Sequence, residues 1–233
     1  QIAVLDTGGQ YCHLIARKVR ELGVSSEVYP SETRAEALRH ARGVIISGGP
    51  ASVYDHDSPT MDPAVLSAEA PTLGICYGQQ LITQLLGGEV RKGDKGEFGL
   101  AFLDLRTNDS QLLRGLTDHQ KIWMSHRDLV AAPPAGFRVL ASTATCPTAA
   151  IENPEQRIYG VQFHPEVVHT TEGTKILRNF LFDICGCEKD WSPANRIALV
   201  EEQIRERAEG RSVFFFVSGG VDSTVAFTLC LEA

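Results

Sequence analysis

Short apolar runs alternate with amphipathic stretches along the first half of the chain. The runs at residues 2–5, 43–47 and 72–75 are apolar almost throughout. Leu14, Ile15 and Val19 recur at helical spacing after the first run, and Gly23 follows as a helix cap. Apolar strands without alternation, separated by helices, are typical of a parallel sheet covered on both faces. We therefore predict an α/β fold, with a further strand at 27–29 and helices at 35–41 and 78–86.

The pattern changes between residues 89 and 162, where predicted strands follow one another with little helix between them. This section is predicted to be a mixed or antiparallel part of the same domain. Apolar positions at helical spacing then predict a closing helix at 174–184. The predicted strands of this section are 98–105, 121–124, 137–142, 149–152 and 158–163.

A short polar segment, residues 186–193, separates a second part of the chain. Ser192 and Pro193 are typical of a helix N-cap and first helical position, and the helix is predicted to end near residue 208. Residues 213–217 then predict a buried strand, followed by a glycine turn and the first turns of a helix. We predict domains at 1–187 and 188–233. Because the strand has few partners to pair with, we expect these residues to be a fragment, or the ordered part, of a longer protein.

Composition excludes several classes of protein. The chain of 233 residues is 43% hydrophobic and 22% charged, as in soluble globular proteins, and its formal net charge of -7 argues against binding nucleic acid. No apolar run is long enough to span a membrane, and no segment resembles a signal peptide. Six cysteines without a secretion signal predict reduced thiols in the cytoplasm. Cys185 and Cys187 are too closely spaced for zinc and are predicted to be packing residues, so no metal site is assigned.

Residues 74–78 read G-I-C-Y-G, between a predicted strand and a predicted helix. The same spacing with serine forms the nucleophile elbow of hydrolases. Gly74 and Gly78 remove Cβ atoms that would clash in such a tight turn, and the helix N-terminus favours a thiolate at Cys76. The N–H of Tyr77 is free to bind an oxyanion. The agreement of strand, glycines and helix favours a nucleophile over a buried structural cysteine.

The segment His164-Pro165-Glu166 follows a predicted strand and supplies the candidate base. Pro165 keeps the residue before it extended, and positions two apart in extended chain point to one side. His164 and Glu166 are therefore predicted to lie side by side, so that the carboxylate fixes the tautomer and stabilises an imidazolium. Considered alone, the motif is equally compatible with a histidine in a surface turn.

The segment S-G-G-P at residues 47–50 ends a strand that is predicted to neighbour the one before Cys76. Because the carboxyl ends of parallel strands share one edge, Gly49 and Cys76 are predicted to be close together. The N–H of Gly49 is a candidate second donor to an oxyanion. A tight turn without a ligand is the alternative.

These motifs, in the order S-G-G-P, G-I-C-Y-G-Q-Q and V-Q-F-H-P-E, resemble those of the class I (triad-type) glutamine amidotransferases. Within that class, the segments L-D-T-G-G-Q-Y and W-M-S-H-R-D resemble the glutamine-hydrolysing GMP synthases more specifically. The segment V-S-G-G-V-D-S-T is similar to the pyrophosphate loop of the ATP pyrophosphatases, and the two modules in this order resemble the family of glutamine-hydrolysing GMP synthases. The resemblance implies a flavodoxin-like open sheet with helices on both faces. The first helix, strand and P-loop-like turn of a second α/β domain would follow.

The resemblance implies that Cys76 attacks the side-chain amide of glutamine. His164 would act as base and then as acid, oriented by Glu166, while backbone N–H groups of Gly49 and Tyr77 bind the oxyanion. The family's pattern has glycine where this chain has Arg127. Residues that fall on the family's glutamine-binding positions are Gln80, Ser125, His126 and Asp128.

In the second module the resemblance implies an ATP site. Backbone N–H groups and a helix N-terminus would bind the phosphates, and Asp222 would order the loop or act through Mg²⁺. The family adenylates xanthosine monophosphate (XMP) with ATP, and ammonia then displaces AMP to give GMP. The implied substrates are glutamine, XMP and ATP, with ATP and Mg²⁺ serving the synthetase half, no cofactor in the glutaminase half, and a homodimer formed through a C-terminal region. The residues that match the loop are Ser218, Gly219, Gly220, Asp222 and Ser223.

Two other functions are compatible with parts of this pattern. A glutaminase subunit could serve a different synthetase, although the C-terminal motif argues against that. A sensing domain could keep the fold without the chemistry, although the presence of Cys76, His164 and Glu166 argues against it.

Overall fold

The computed structural model describes residues 1–233, which divide into two compact units, Gln1–Lys189 and Asp190–Ala233. The division lies beside the boundary predicted after residue 187. No helix in either unit combines the length and the hydropathy that crossing a membrane requires.

A nine-stranded sheet forms the centre of the first unit, in the order β2-β1-β3-β4-β9-β8-β7-β5-β6. Neighbours from β2 to β9 pair in parallel, and the remaining pairs are antiparallel. The parallel half has the strand order of flavodoxin-like sheets, which confirms the predicted parallel part and its antiparallel extension. The strands are β1 (Ile2–Asp6), β2 (Ser26–Pro30), β3 (Gly43–Ile46), β4 (Thr72–Ile75), β5 (Glu89–Leu105), β6 (Gln120–Ala132), β7 (Arg138–Ser142), β8 (Ala150–Asn153) and β9 (Ile158–Val161).

Helices cover both faces of the sheet, as the resemblance implied. Val4 of β1 belongs to a buried cluster that includes Ile15 of α1, whereas the next residue, Leu5, belongs to a second cluster that includes Leu81 of α2. The alternation follows from the two-residue period of a strand. The helices of this unit are α1 (Cys12–Glu21), α2 (Tyr77–Leu85) and α3 (Gly173–Arg178), which continues as a π-helix at Asn179–Ile184.

The helix predicted at residues 35–41 is shorter than expected. Only one 3₁₀ turn forms, at Ala35–Leu38, and Leu38 is its one buried residue. A segment with so little buried apolar surface cannot stabilise a longer helix. A second 3₁₀ turn, Pro63–Ser67, was not predicted.

The second unit contains helices α4 (Pro193–Ala208) and α5 (Val221–Glu232). The backbone N–H of Asn195 donates to Ser192 Oγ at 3.1 Å, which confirms the predicted N-cap. The strand predicted at 213–217 is wrong, because these residues form no strand and the side chains of Phe214 and Phe216 are 84% and 86% exposed. A strand needs a hydrogen-bonded neighbour, and no other strand is present in residues 190–233.

Two glycines allow β4, α2 and β3 to approach one another closely. A Cβ atom on Gly74 would lie 2.5 Å from the carbonyl carbon of Gly78, and one on Gly78 would lie 2.4 Å from Ile46 O. All of these are backbone atoms, so no side-chain movement could relieve the contacts. The turn between β4 and α2 therefore depends on both glycines, as its sequence predicted.

We expect Gly78→Ala to lower the free energy of unfolding by ~2 kcal/mol or more, because the added methyl group overpacks a backbone contact. Alanine normally stabilises a helix relative to glycine, so the sign of the change is informative. Urea unfolding measures it. Gly87→Ala is the control, with no atom within 4 Å of the added Cβ and a φ of +78°, and should cost ~1 kcal/mol. A smaller loss for Gly78→Ala than for Gly87→Ala would contradict the packing argument.

Candidate active site

The carboxyl ends of four parallel strands meet at one edge of the sheet and surround a pocket of about 810 Å³. The loop after β1 contributes Gly9, the loop after β3 contributes Gly49, and β4 leads directly into Cys76. The segment after β9 contributes His164. This edge is where open α/β sheets place their ligands.

Cys76 lies on a strained turn between β4 and α2. Its φ of 53° and ψ of −106° are unusual for a residue with a side chain. The backbone N–H of Cys76 donates to Val161 O at 2.7 Å, which fixes the turn to β9. Cys76 is only 4% exposed, yet it lines the pocket. This is the geometry of a nucleophile elbow.

His164 and Glu166 form a buried pair. The ring Nδ1 donates to Glu166 Oε1 at 2.7 Å, as the spacing of the motif predicted, and His164 N donates to Trp123 O at 3.0 Å. Burial by itself lowers the pKa of His164. Hydrogen bonds and charges from Cys76 and Glu166 outweigh burial and raise that pKa from 6.5 to about 10.

Gly48 allows the histidine and the cysteine to come together. A Cβ atom on Gly48 would lie 3.0 Å from His164 Cε1 and 3.4 Å from Cys76 Cβ. A side chain at this position would therefore occupy space between the candidate nucleophile and the candidate base. The motif S-G-G-P predicted the glycine turn but not this contact.

The peptide group between Gly48 and Gly49 has a fixed orientation. The hydroxyl of Thr7, which is fully buried, donates to Gly48 O at 2.9 Å, and a Cβ on Gly9 would come within 1.9 Å of the same oxygen. In a trans peptide the C=O and N–H point in opposite directions. The Gly49 N–H therefore points away from Thr7, and the hydrogen bonds of the protein give it no acceptor.

Tyr77 occupies the first position of α2. Its side chain is buried and its hydroxyl donates to Pro59 O. The N–H groups of Gly78 and Gln79, next along the helix, donate to Ser47 O and Cys76 O, whereas the Tyr77 N–H has no acceptor in the protein. Gly49 and Tyr77 thus each present an unused backbone donor near Cys76.

All four residues that the resemblance assigned to glutamine binding, Gln80, Ser125, His126 and Asp128, line the same pocket. The carbonyl oxygen of Ser125 lies 3.7 Å from Cys76 Sγ. Gln80 donates to Asp128 O at 2.7 Å. The segment therefore borders the sulfur on one side and α2 on the other.

Two residues that were not predicted from the sequence hold the carboxylate of Asp128. The hydroxyl of Ser52 donates to Asp128 Oδ2, and that of Tyr54 donates to Asp128 Oδ1 at 2.9 Å. Both residues also line the pocket. Arg127, where the family's pattern has glycine, lies within β6 and is not among the residues with positive φ, so the backbone does not require glycine there.

A cluster of Glu97, His126 and Cys146 lies behind the pocket, with one possible ligand atom from each within 4.8 Å of the others. Nitrogen, oxygen and sulfur ligands of this kind suit zinc. His126 Nε2 contacts Glu97 Oε2 directly at 3.1 Å, and its Nδ1 contacts Asp128 O at 2.9 Å. Burial raises the pKa of Glu97, but hydrogen bonds from His126 and from neighbouring threonines outweigh burial and lower it. Direct pairing of Glu97 with His126 therefore accounts for the cluster.

In the second unit the predicted phosphate loop leads into α5. Gly219 has a φ of +82°, and Gly220 is the N-cap of the helix. The hydroxyls of Ser218 and Ser223 lie 3.0 Å apart, and Asp222 lies in the first turn of the helix. Four of the five residues are exposed and Ser223 is half-buried, so the helix N-terminus is open to an anion.

We expect the pKa of His164 to distinguish this site from a surface histidine. The raised pKa means that the ring stays protonated from acidic pH until the pH approaches about 10, whereas the ordinary value is 6.5. Stability contributed by the charged ring is complete below pH 6.5 and is lost as the pH rises toward 10. NMR titration of ¹³C-labelled histidine measures the protonation directly. Glu166→Gln should lower the pKa, and a neutral His164 ring at about pH 8 in the unmodified protein would refute the assignment.

The sequence matches known proteins along its whole length. A family model described as glutamine amidotransferase class-I matches residues 3–184. The GMP synthases [glutamine-hydrolyzing] of Geobacillus kaustophilus and Symbiobacterium thermophilum are each 50% identical over 234 residues. These matches cover 100% of this chain and 46% of each relative. The chain thus spans about half the length of the curated relatives that it matches.

Solved structures have the same fold. A protein from Thermoplasma acidophilum, described as a subunit of GMP synthase, is 33% identical with a TM-score of 0.71, over 79% of this chain and 93% of that one. A glutamine amidotransferase from Thermotoga maritima, 16% identical, covers 79% of this chain and 97% of that one with a TM-score of 0.62, and shows the fold alone. The predicted fold class of the amidotransferase part is therefore confirmed. The chain belongs to the class-I glutamine amidotransferase family.

Proposed function

We propose that this chain carries the glutamine-hydrolysing part of a glutamine-dependent GMP synthase. The observation that carries the proposal is that Cys76 and His164 line one pocket, with Glu166 buried beside His164 and hydrogen-bonded to its ring. The names of the relatives that match the chain at 50% identity support GMP as the product.

Acylation begins when Cys76, as a thiolate that has given its proton to His164, attacks the side-chain amide carbon of glutamine through Sγ. The carbonyl oxygen becomes an oxyanion, for which the unused N–H groups of Gly49 and Tyr77 are the available donors. The protonated ring of His164 gives its Nε2 proton to the amide nitrogen as the carbon–nitrogen bond breaks. Ammonia leaves, and a γ-glutamyl thioester remains on Cys76.

Deacylation uses the same groups in reverse. His164, now neutral, takes a proton from water, and the resulting hydroxide attacks the thioester carbonyl carbon. The carbon–sulfur bond breaks, glutamate leaves, and Cys76 and His164 return to their starting state. Glu166 contributes by holding Nδ1, which leaves Nε2 directed into the pocket through both steps.

Recognition of glutamine is assigned to the segment that ends at Asp128. The NH₂ group of Gln80 donates both of its hydrogens within the protein, to Asp128 O and to Gln162 Oε1. Its Oε1 has no protein partner and is free to accept a hydrogen bond from the ligand. The carboxylate of Asp128 carries negative charge into the pocket near Ser52 and Tyr54. A carboxylate there suits the α-ammonium group of glutamine.

The second unit is proposed to begin the ATP site. The loop before α5 offers backbone and hydroxyl donors to phosphate, and Asp222 offers the oxygen ligand that Mg²⁺ prefers. Bound Mg²⁺ would neutralise phosphate charge. XMP, activated by adenylation, would receive the ammonia to give GMP, AMP and pyrophosphate. We propose that the reaction takes place in the cytoplasm, whose reducing conditions suit a chain with six cysteines.

Separate substitutions should dissociate the two activities in the complete enzyme. Cys76→Ala is expected to reduce glutamine hydrolysis and glutamine-dependent GMP formation by several orders of magnitude, while GMP formation from added ammonium persists. Asp222→Asn is expected to reduce GMP formation from either nitrogen source. Coupled assays of glutamate and GMP measure both. If Cys76→Ala removed ammonia-driven synthesis equally, the division of labour would be wrong.

The orientation of the Gly48–Gly49 peptide should affect catalysis more than binding. Thr7→Val keeps the shape of the side chain but removes its hydrogen bond to Gly48 O, so the peptide is held less firmly, by the Ser47 hydroxyl at 3.2 Å from that oxygen. We expect kcat for glutamine hydrolysis to fall about tenfold or more with KM little changed, as for loss of an oxyanion donor. Thr7→Ser keeps the hydroxyl and is the control. Equal kcat values for the two variants would rule out the role of Thr7.

A further inference from the structure

Gln162 is a fully buried residue that contacts the sulfur of Cys76. It lies between β9 and His164, and its Nε2 is 3.6 Å from Cys76 Sγ. Its Oε1 is 3.1 Å from Gln80 Nε2. A side-chain amide can present either its oxygen or its nitrogen to a neighbour, so its effect on the sulfur depends on which way it faces.

The contacts run from Asp128 O through Gln80 and Gln162 to Cys76, and the carbonyl of Asp128 determines which way each side-chain amide faces. Asp128 O can only accept, so the group of Gln80 that contacts it at 2.7 Å must be the NH₂ group. The same NH₂ group contacts Gln162 and donates its second hydrogen there. The atom of Gln162 that receives it must therefore be the oxygen, which leaves the nitrogen of Gln162 facing the sulfur.

We propose that Gln162 is a catalytic residue that donates a hydrogen bond to the sulfur of Cys76, with its direction set by Asp128 O through Gln80. The contact is with the reacting atom itself. Reversal of the Gln80 amide would place its oxygen against Asp128 O, and reversal of the Gln162 amide would place two NH₂ groups against each other. Either change would leave a buried polar group unpaired.

The donor is needed because the other side of the sulfur faces an acceptor. The carbonyl oxygen of Ser125 lies 3.7 Å from Cys76 Sγ, where it accepts from the thiol and repels a thiolate. Gln162 and the protonated His164 ring oppose that repulsion. A thiolate forms when Cys76 gives its proton to His164 and again when the thioester carbon–sulfur bond breaks, so the donor acts in both half-reactions.

The same contacts join the sulfur to the pocket wall. Gln80 and Asp128 line the pocket, and Ser52 and Tyr54 hold the carboxylate of Asp128. A ligand that moves Asp128 would therefore move the acceptor that orients both amides. This link from the ligand to the sulfur rests on the proposed function, in which the ligand is glutamine.

Alkylation of Cys76 tests the donor without any need for glutamine turnover. The variant is Gln162→Leu, which is similar in size and has no donor. The matched control is Gln79→Leu, since Gln79 is also fully buried, lies on α2 beside Gln80, and donates to Thr148 O rather than to the sulfur. Purified protein is treated with iodoacetamide between about pH 5 and 10, a range that spans thiol ionisation. The Cys76 peptide is quantified by mass spectrometry so that Cys230, which is partly exposed, does not contribute.

We expect the rate profile of Gln162→Leu to move to higher pH, with alkylation about tenfold slower at about pH 6.5, and that of Gln79→Leu to remain in place. A hydrogen bond to a charged group is worth enough for such a change. Unshifted profiles in both variants, or equal shifts in both, would overturn the proposal. If the unmodified protein did not hydrolyse glutamine but the alkylation profile shifted only in Gln162→Leu, the proposed function would be refuted and the donor role of Gln162 would stand.

A second variant covers the case in which Gln162→Leu fails to fold. Gln162→Glu keeps the size and the acceptor but replaces the donor with a carboxylate oxygen. Its alkylation should be slower still at neutral pH, because a negative charge then faces the sulfur. Alkylation as fast as in the unmodified protein would show that the amide nitrogen has no effect on Cys76.

Discussion

The active site depends on one backbone contact, the approach of α2 to the end of β3. Gly78 has room for no side chain against Ile46 O, and Gly74 has none against the first turn of the helix. These two contacts force the chain to turn within the three residues between them, and the strain is concentrated in the backbone of Cys76. The reactive sulfur is thereby placed above the sheet, with the unused N–H of Tyr77 at the start of α2 beside it.

Uncharged hydrogen-bonding groups then orient the donors that face the oxyanion and the sulfur in this pocket. Thr7 fixes the peptide that presents the Gly49 N–H, and Asp128 O fixes the two amides that end at the sulfur. Each acts through a hydrogen bond whose direction is set by an atom that can only accept. Preorganised donors of this kind need no rearrangement as charge develops, which is the main advantage of a protein site over water. The ionised pair of His164 and Glu166 can then transfer a proton in a pocket that is already oriented.

Local signals in the sequence were sufficient for the fold and for the reacting groups. Strand β4, both glycines and the start of α2 fall within residues 72–78, and His164 and Glu166 are two residues apart. The supporting residues could not be found in this way. Thr7 and Ser47 are 40 residues apart, Ser52 and Asp128 are 76 apart, and Gln162 and Cys76 are 86 apart. Nothing in the neighbourhood of Thr7 or Ser52 indicates which distant atom each will contact, because that is decided by the order of strands across the sheet.

Residues 213–217 show that a local sequence signal can also predict an element that does not form. Its apolar sequence correctly indicates a preference for burial, but a strand is a property of a pair of segments and cannot form from preference alone. Helices α4 and α5 satisfy their own backbone groups and form in the second unit without such a partner. Gly219 and the N-cap at Gly220 likewise depend only on neighbouring residues. The loop before α5 can therefore take shape even though the residues before it form no strand.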